Sequence, residues 1–467
     1  MRPHTLTGVE GTPGVMRLAL AAARATAFAS RASGRGGGTT LPGRVLTALA
    51  PTAPKRLAAR LPRGCVLVSA TNGKTTTCAL LAEVLRDRAR LARNSAGANL
   101  ASGIASALAV RSASTAELGL FECDEAALPA IAAQLEPRAI ALGNLFRDQL
   151  DRYGELELVA ARWRELVAHL DPATTLVVAA DDPLTASLAA GHPTVVRYGI
   201  DDPSVALPAA PHAADARFCV ICGHPYDYLA TYVGHLSDYR CPSCGNARAP
   251  LDLAARSIEL HGLDGAAFDL CHGEGRVRVE LALPGLYNVE NALAAAALAV
   301  VLGESLPVIA AGLARFRGSF GRFQRLRVAT AELVLLLIKN PAGANEVLRI
   351  LPDGDASLLF ALNDRIADGR DISWVWDVDW ELVAPRLRHV VASGTRAGDA
   401  ALRLKYAGVD PAAIEVVPDV AQALDRLAEL AAGGTGYVLP TYTAMLELQR
   451  VAASRGLARP YWEEAAA

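Results

Sequence analysis

The segment SATNGKTTT, Ser69 to Thr77, follows an apolar run and opens a periodic stretch that continues to about Leu85. In a strand–turn–helix setting, the backbone N–H groups of such a turn and the helix N-terminus can surround polyphosphate oxygens. Lys74 then reaches the terminal phosphates and the Thr75 hydroxyl is placed to ligate Mg2+. Val68 stands where the full P-loop pattern has its first glycine, so the context carries this reading more than the pattern does. Carboxylates follow at suitable distances. Glu122 ends the apolar run Leu118 to Phe121, and Asp148 and Asp151 follow Ala139 to Leu142. Hard oxygen ligands beside a phosphate loop suit Mg2+, although for Asp151 a solvated helix-face acid is nearly as good a description.

Cys219, Cys222, Cys241 and Cys244 form two CxxC pairs separated by 18 residues, each pair followed by a glycine that permits a tight knuckle. Two such pairs can close a tetrahedral thiolate site, with no position left open for chemistry, so a structural Zn2+ is expected. His224 and His235 are read as ordinary polar residues. The other four cysteines are scattered in apolar contexts, which fits a cytoplasmic protein with metal-bound thiols rather than disulfides.

A third candidate lies in NDRIADGRDISWVWDVDWE, Asn363 to Glu381, where five aspartates and three tryptophans follow the apolar run Leu358 to Leu362. A loop of this kind at a strand's C-terminal end is a site candidate. A charged loop with Trp374 and Trp376 plugged into a core is the plain alternative. No nucleophile–base pair is near it in the sequence, but an aspartate there could orient a histidine belonging to a partner.

The elements that must position these residues read as an α/β protein. Short apolar runs (Cys65–Val68, Leu118–Phe121, Ala139–Leu142, Leu176–Ala179) alternate with helical stretches, which argues for a parallel sheet. Residues 200 to 285 change character and suggest a small inserted β-rich lobe, with the zinc ribbon at about 205–260. Ala292 to Leu313 is apolar enough to resemble a membrane span, but Gly303, Glu304 and Pro307 divide it into pieces too short to cross a bilayer. No secretory signal is evident in the first 30 residues. The expected organisation is residues 1–44 as a helix and linker, 45–316 as the ATP-binding domain, and 317–467 as a smaller α/β domain with core strands near Leu333–Ile338, Leu358–Leu362, His389–Ala392 and Tyr437–Leu439. The 467 residues are 52% apolar, which excludes global disorder, and carry 46 basic against 48 acidic side chains, which argues against a whole-chain grip on nucleic acid.

ATNGKTTT, FECDE, NLFRDQLDRYGE, AADDP and LPGLYNVENALAAAA occur in the order seen in Mur ligases, over about Cys65 to Phe323. The resemblance implies a Mur-ligase-type P-loop domain in which ATP converts a carboxylate to an acyl phosphate for an amine to attack. It places Thr71, Asn72, Gly73, Lys74, Thr75 and Thr76 on the phosphates, Thr75 and Glu122 on Mg2+, and Asn288, Asn291 and Arg322 near the nucleotide. The chain departs from ordinary Mur ligases at Gln149, where a histidine is usual, and at LIKNPAG (Leu337 to Gly343), where an Asp-Tyr-Ala-His-like segment is usual. With KNPAGANEVL, SGTRAGDAALRLKYAG, LPTYTAM, the TTLPG segment near Thr39 and the cysteine quartet, the chain resembles the MurT family, Mur-ligase-like subunits that pair with GatD glutaminases. That resemblance implies amidation of D-isoglutamate in the lipid II stem peptide at the inner face of the cell membrane, with Asp371 completing the partner's triad. An amino-acid-adding Mur ligase or a folylpolyglutamate synthetase-like ligase is the alternative.

Overall fold

The computed structural model describes residues 13–32, 39–94, 97–110, 112–148, 156–208, 215–318 and 323–458. Seventeen strands, β1 to β17, occur among them, and helices are named below by their residue ranges. The first eleven strands are β1 (Cys65–Ser69), β2 (Leu91–Arg93), β3 (Leu118–Glu122), β4 (Ala139–Leu142), β5 (Thr175–Ala179), β6 (Val195–Ile200), β7 (Asp227–Val233), β8 (Leu236–Arg240), β9 (Leu253–Leu260), β10 (Ala266–His272) and β11 (Gly275–Leu281). Nine of these form one sheet in the order β11-β10-β9-β6-β5-β4-β1-β3-β2. The strands from β2 to β6 are parallel, and β1 lies between β3 and β4 with Val66 opposite both Leu120 and Ala139. Every residue of β1 is buried, as a strand covered on both faces requires. From β1 the chain passes to the edge strand β2, returns to β3 beside β1, and then crosses to build β4, β5 and β6 on the other side, and in such sheets the ligand crevice lies at the carboxyl ends beside that reversal.

Apolar clusters pack on both faces of this sheet. One face is covered by the helices Lys74–Val84 and Leu286–Val301, the second of which is buried along most of its length. Its run of alanines lets helix and sheet approach closely. The region from Ala292 to Leu313 is two helices, Leu286–Val301 and Leu306–Arg315, with Gly303 at φ +89° in the turn between them. No described helix is long and apolar enough to cross a membrane.

The inserted lobe is smaller than its composition suggests. Only the β7–β8 hairpin and the cysteine knuckles stand apart from the main sheet. Residues 253–281 instead extend that sheet, β9 pairing parallel with β6 and β10 and β11 continuing antiparallel. Their alternating pattern reflects a sheet margin with one exposed face, which a separate lobe would also produce.

A second sheet holds β12 (Phe323–Val328), β13 (Ala331–Leu336), β14 (Ala356–Ala361), β15 (Leu387–Ser393), β16 (Ile414–Val416) and β17 (Thr435–Pro440) in the order β12-β13-β17-β14-β15-β16. All neighbours are parallel except the β12–β13 hairpin, and separate apolar clusters cover its two faces. At the other end of the chain, the helices Pro13–Ala32, Leu41–Leu49 and Ala53–Ala58 form a layer on the helix Ala101–Ala109. Gly43 permits that approach: a Cβ there would lie 1.8 Å from the Ser102 carbonyl oxygen, and its N–H donates to Ser106 Oγ at 2.7 Å.

Candidate active site

The turn after β1 is held from below. The Thr71 N–H donates to the Asn144 carbonyl and the Asn72 N–H to Asn144 Oδ1, each at 2.8 Å, while the Phe146 N–H donates to Thr71 Oγ1 at 3.0 Å. Gly73 then turns the chain into the helix Lys74–Val84 with φ +88°, a conformation that disfavours side chains. A Cβ at this position would also meet Asn291 Oδ1 at 1.8 Å, so glycine is required twice. Asn291 is itself fixed by donating to Asn288 Oδ1 at 3.1 Å, and Asn288 donates to the Pro284 carbonyl at 2.7 Å. The helix Leu286–Val301 therefore delivers both asparagines to the loop, and Thr77 Oγ1 donates to the Asn291 carbonyl at 3.4 Å.

Thr75 Oγ1 donates to Glu122 Oε2 at 2.7 Å, so the two residues expected to hold Mg2+ meet at the carboxyl ends of β1 and β3. Lys74 is buried, with its ammonium folded onto the Ala70 and Thr71 carbonyls and paired with Glu125 at 2.9 Å. Burial alone would depress its pKa, but Glu125, Glu122 and Asp148 outweigh it and hold the group above its ordinary value, firmly charged. Asp148 accepts from Lys339 Nζ at 2.6 Å through one oxygen, while its other oxygen is buried without a hydrogen-bond partner among the described residues. A hydroxyl (Thr75) and two carboxylates (Glu122 and Asp148), the second with an orphaned oxygen, are a donor set around one loop that suits a hard divalent cation. Arg322, Gln149 and Asp151 lie outside the described residues.

Residues after β13 complete the crevice. Lys339 Nζ donates to the Thr71 carbonyl at 3.0 Å, and the Asn340 and Asn72 side-chain amides bond reciprocally at 3.0 and 3.2 Å. The cleft between the two sheets is lined by Asn72, Gly73, Thr76, Asn288 and Asn291 on one side and by Lys339, Gly343 and Glu346 on the other, with Phe146, Leu283 and Phe323 as apolar wall. Sequence reasoning missed Asn144, Lys339 and Asn340. The available signal was LIKNPAG, read there only as a departure from the usual ligase segment. His235 is another surprise. It is fully buried against Phe146, ring centroids 4.7 Å apart, and its Nε2 lies 3.5 Å from Asp182 Oδ1. The β7–β8 turn that bears it also supplies Val233 and Leu236 to the cleft wall.

In the knuckles, the four sulfurs lie within 4.8 Å of one another, with Cys219 and Cys244 at 3.6 Å and Cys222 and Cys241 at 3.5 Å. A tetrahedron of thiolates about 2.3 Å from Zn2+ has edges of about 3.8 Å, so the quartet fits such an ion. Gly223 and Gly245 take φ +72° and +77°, donating to the Cys219 and Cys241 carbonyls and closing each knuckle.

The acidic loop divides clearly. Asp368 is buried and accepts from the Thr443 N–H at 2.7 Å; Asp379 and Asn345 bond reciprocally; Asp364 accepts from Thr395 Oγ1 and pairs with Arg396; Asp377 lies 4.0 Å from Arg147. Asp371 differs. It is exposed, it makes no ion pair among the described residues, and the Ser373 N–H bonded to it at 2.8 Å holds its carboxyl below the ordinary value. No described hydrogen bond joins it to the phosphate loop. Trp380 is buried, Trp374 is partly covered and packs on the same core, and Trp376 is exposed.

Residues 68–221 match the Mur ligase middle domain, and residues 337–445 match the MurT ligase C-terminal family. The chain is 32% identical over 455 residues to the lipid II isoglutaminyl synthase (glutamine-hydrolyzing) subunit MurT of Streptococcus pneumoniae, covering 95% of this chain and 98% of that one. It is 31% identical to the corresponding Staphylococcus aureus subunit over 421 residues, 89% of this chain and 93% of that one. Among solved structures, a pseudomurein peptide ligase type C from Methanothermus fervidus superposes with a TM-score of 0.66 at 20% identity, covering 88% of this chain and 84% of that one, which shows a shared fold.

Proposed function

The chain belongs to the MurT family of lipid II isoglutaminyl synthase subunits, and we propose that it is the ligase half of such a synthase, amidating the α-carboxylate of D-isoglutamate in the lipid II stem peptide. The observation that supports this reading is the turn after β1, with Thr75 bonded to Glu122 and with Lys339 and Asn340 closing over it from above. In the reaction, a carboxylate oxygen attacks the γ-phosphorus of ATP and ADP leaves. Ammonia then attacks the acyl carbon, the acyl C–O bond to phosphate breaks, and the proton that the nitrogen gives up leaves on inorganic phosphate. Lys74 and the loop amides would neutralise charge on the transferring phosphoryl group, and Thr75, Glu122 and Asp148 would hold a Mg2+ ion that would add further positive charge there. Asn288, Asn291 and the apolar cleft would seat the nucleoside. Zn2+ on the four cysteines would be structural.

Ammonia would come from a GatD-type glutaminase. Asp371, charged and exposed, is suited to orient a partner's histidine, and exposed Ile366 and Trp376 on the same loop offer apolar contact. The site of action would be the cytoplasmic face of the membrane, where lipid II is presented. The test is to incubate the chain with ATP, Mg2+ and lipid II, supplying either ammonium or a GatD-type partner with glutamine, and to weigh the stem peptide. Replacement of one hydroxyl by an amino group on both routes is expected. ATP-dependent addition of a free amino acid, without amidation, would overturn the proposal in favour of an ordinary amino-acid-adding ligase.

A further inference from the structure

The helix Pro13–Ala32 has two apolar faces. Met16, Ala19, Ala23 and Ala27 are buried against the helix layer. On the opposite side, Gly14, Leu18, Ala21, Ala25 and Phe28 recur at helical spacing, and all are exposed. Leu18 is 72% and Phe28 76% exposed, unusual for such large apolar side chains on a helix whose other face already satisfies its packing. The next helix, Leu41–Leu49, likewise exposes Leu41 and Leu49.

The charge of this layer is just as uneven. Residues 11–69 hold nine lysines and arginines and not one aspartate or glutamate, in a chain whose overall charge is −2. Arg17, Arg44 and Arg60 are exposed and make no ion pair among the described residues. An exposed apolar stripe with Arg17 beside it, on a helix layer that carries further unpaired arginines at Arg44 and Arg60, is the chemistry of a surface that meets an anionic bilayer, side chains such as Leu and Phe entering the acyl boundary and guanidinium groups meeting lipid phosphates. At 20 residues with three arginines the helix lies on such a surface and does not span it.

We propose that the N-terminal helix layer is a membrane-docking surface, with anionic phospholipid as its occupant and the outer face of Pro13–Ala32 as the inserted element. This deepens the functional reading above and rests on it for the choice of occupant: a lipid-carried substrate is reached from a membrane-bound enzyme. The layer packs on Ala101–Ala109 and contributes nothing to the nucleotide cleft, so docking and chemistry are separable.

The experiment is co-sedimentation of the full chain with vesicles of phosphatidylglycerol and phosphatidylcholine, against vesicles of phosphatidylcholine alone. Binding to the anionic vesicles should be about tenfold stronger and should weaken as salt is raised. The double variant Leu18→Asp/Phe28→Asp should lose it, and Phe28→Ser, a milder change at an exposed position, should weaken it without disturbing the fold. Amidation of a lipid-free stem peptide should be unchanged in both variants, while amidation of membrane-carried substrate should fall. Equal binding to both vesicle types, no binding to either, or unaltered binding by the variants overturns the proposal. So does sedimentation-velocity evidence that the outer face instead joins two copies of the chain. Failure to amidate even the lipid-free peptide would sink the functional reading while leaving vesicle binding as its own result.

Discussion

Asp371 is the one acid of its loop that structure leaves exposed and unpaired among the described residues, and its neighbours explain the others: they cap, bridge or brace. Asp371→Asn keeps the shape and loses the charge that would stabilise a partner's imidazolium. Glutamine-driven amidation should collapse while ammonium-driven amidation survives, because Lys74, Thr75 and Glu122 are untouched. Equal loss on both routes would assign the residue to the ligase chemistry. Glu346, on the wall of the cleft between the two sheets, offers a pH signature. Burial pushes its carboxyl up to about 7 despite Arg349 beside it. The folded chain thus keeps a proton that an unfolded chain, with its ordinary value of 4.5, gives up. The stability this contributes is complete below the unfolded value and is lost as pH rises through the folded one, on the order of 3 kcal/mol. Thermal melts between about pH 5 and pH 8 should therefore slope downward more steeply for the wild type than for Glu346→Gln. Parallel slopes would remove Glu346 as the cause.

Among the elements, the β7–β8 hairpin links the cysteine knuckles to the cleft between the two sheets. Its turn puts Val233 and Leu236 in the cleft wall and His235 beside Asp182, and a Cβ at Gly234 would come within 2.7 Å of the Phe146 ring. Arg248, just beyond the second knuckle, pairs with Asp181 at 2.8 Å. A metal holding the knuckles therefore also holds one wall of the cleft. Cys219→Ser or Cys241→Ser should release about one Zn2+ per chain and unfold the lobe, since metal binding energy there is folding energy. Nucleotide affinity, followed by a fluorescent ATP analogue, should fall with it. Wild-type protein found by metal analysis to contain no zinc would end this account, and unchanged nucleotide affinity in a metal-free variant would uncouple the lobe from the cleft.

For the molecule as a whole, the two sheets meet at the phosphate loop through very few polar contacts, chiefly Lys339 with Thr71 and Asp148 and the Asn72–Asn340 amide pair. Asn340 also caps the helix Pro341–Ile350 by accepting from the Gly343 N–H at 2.9 Å. Two variants separate these roles. Asn72→Ala removes only the bridge and should lower kcat/KM for ATP by on the order of tenfold at unchanged stability. Asn340→Ala loses the bridge and the cap together, and should also cost about 1 kcal/mol of stability. Were both to melt earlier with kcat/KM intact, the contact would be packing alone and closure over the loop would have no part in turnover.

What the sequence determined by itself is what neighbouring residues specify together. A strand, a left-handed glycine and a helix start are contiguous from Cys65 to Val84, so this strand–turn–helix could be read before any fold was known. Two CxxC pairs with their glycines are nearly as local, and so is the alternation of strand and helix that makes the sheets parallel. Tertiary structure alone decided the rest, because it concerns groups far apart in the chain. Lys339 and Asn340 reach the loop across some 268 positions. His235 reads as an ordinary polar residue until Phe146 and Asp182 enclose it. Residues 253–281 have the same alternation whether they form a lobe or a sheet margin, and only pairing with β6 selects the margin. Five aspartates in one loop look alike in sequence; partners on four other segments occupy four of them and leave Asp371 open, because hydrogen bonding and burial are properties of what surrounds a side chain and not of its type.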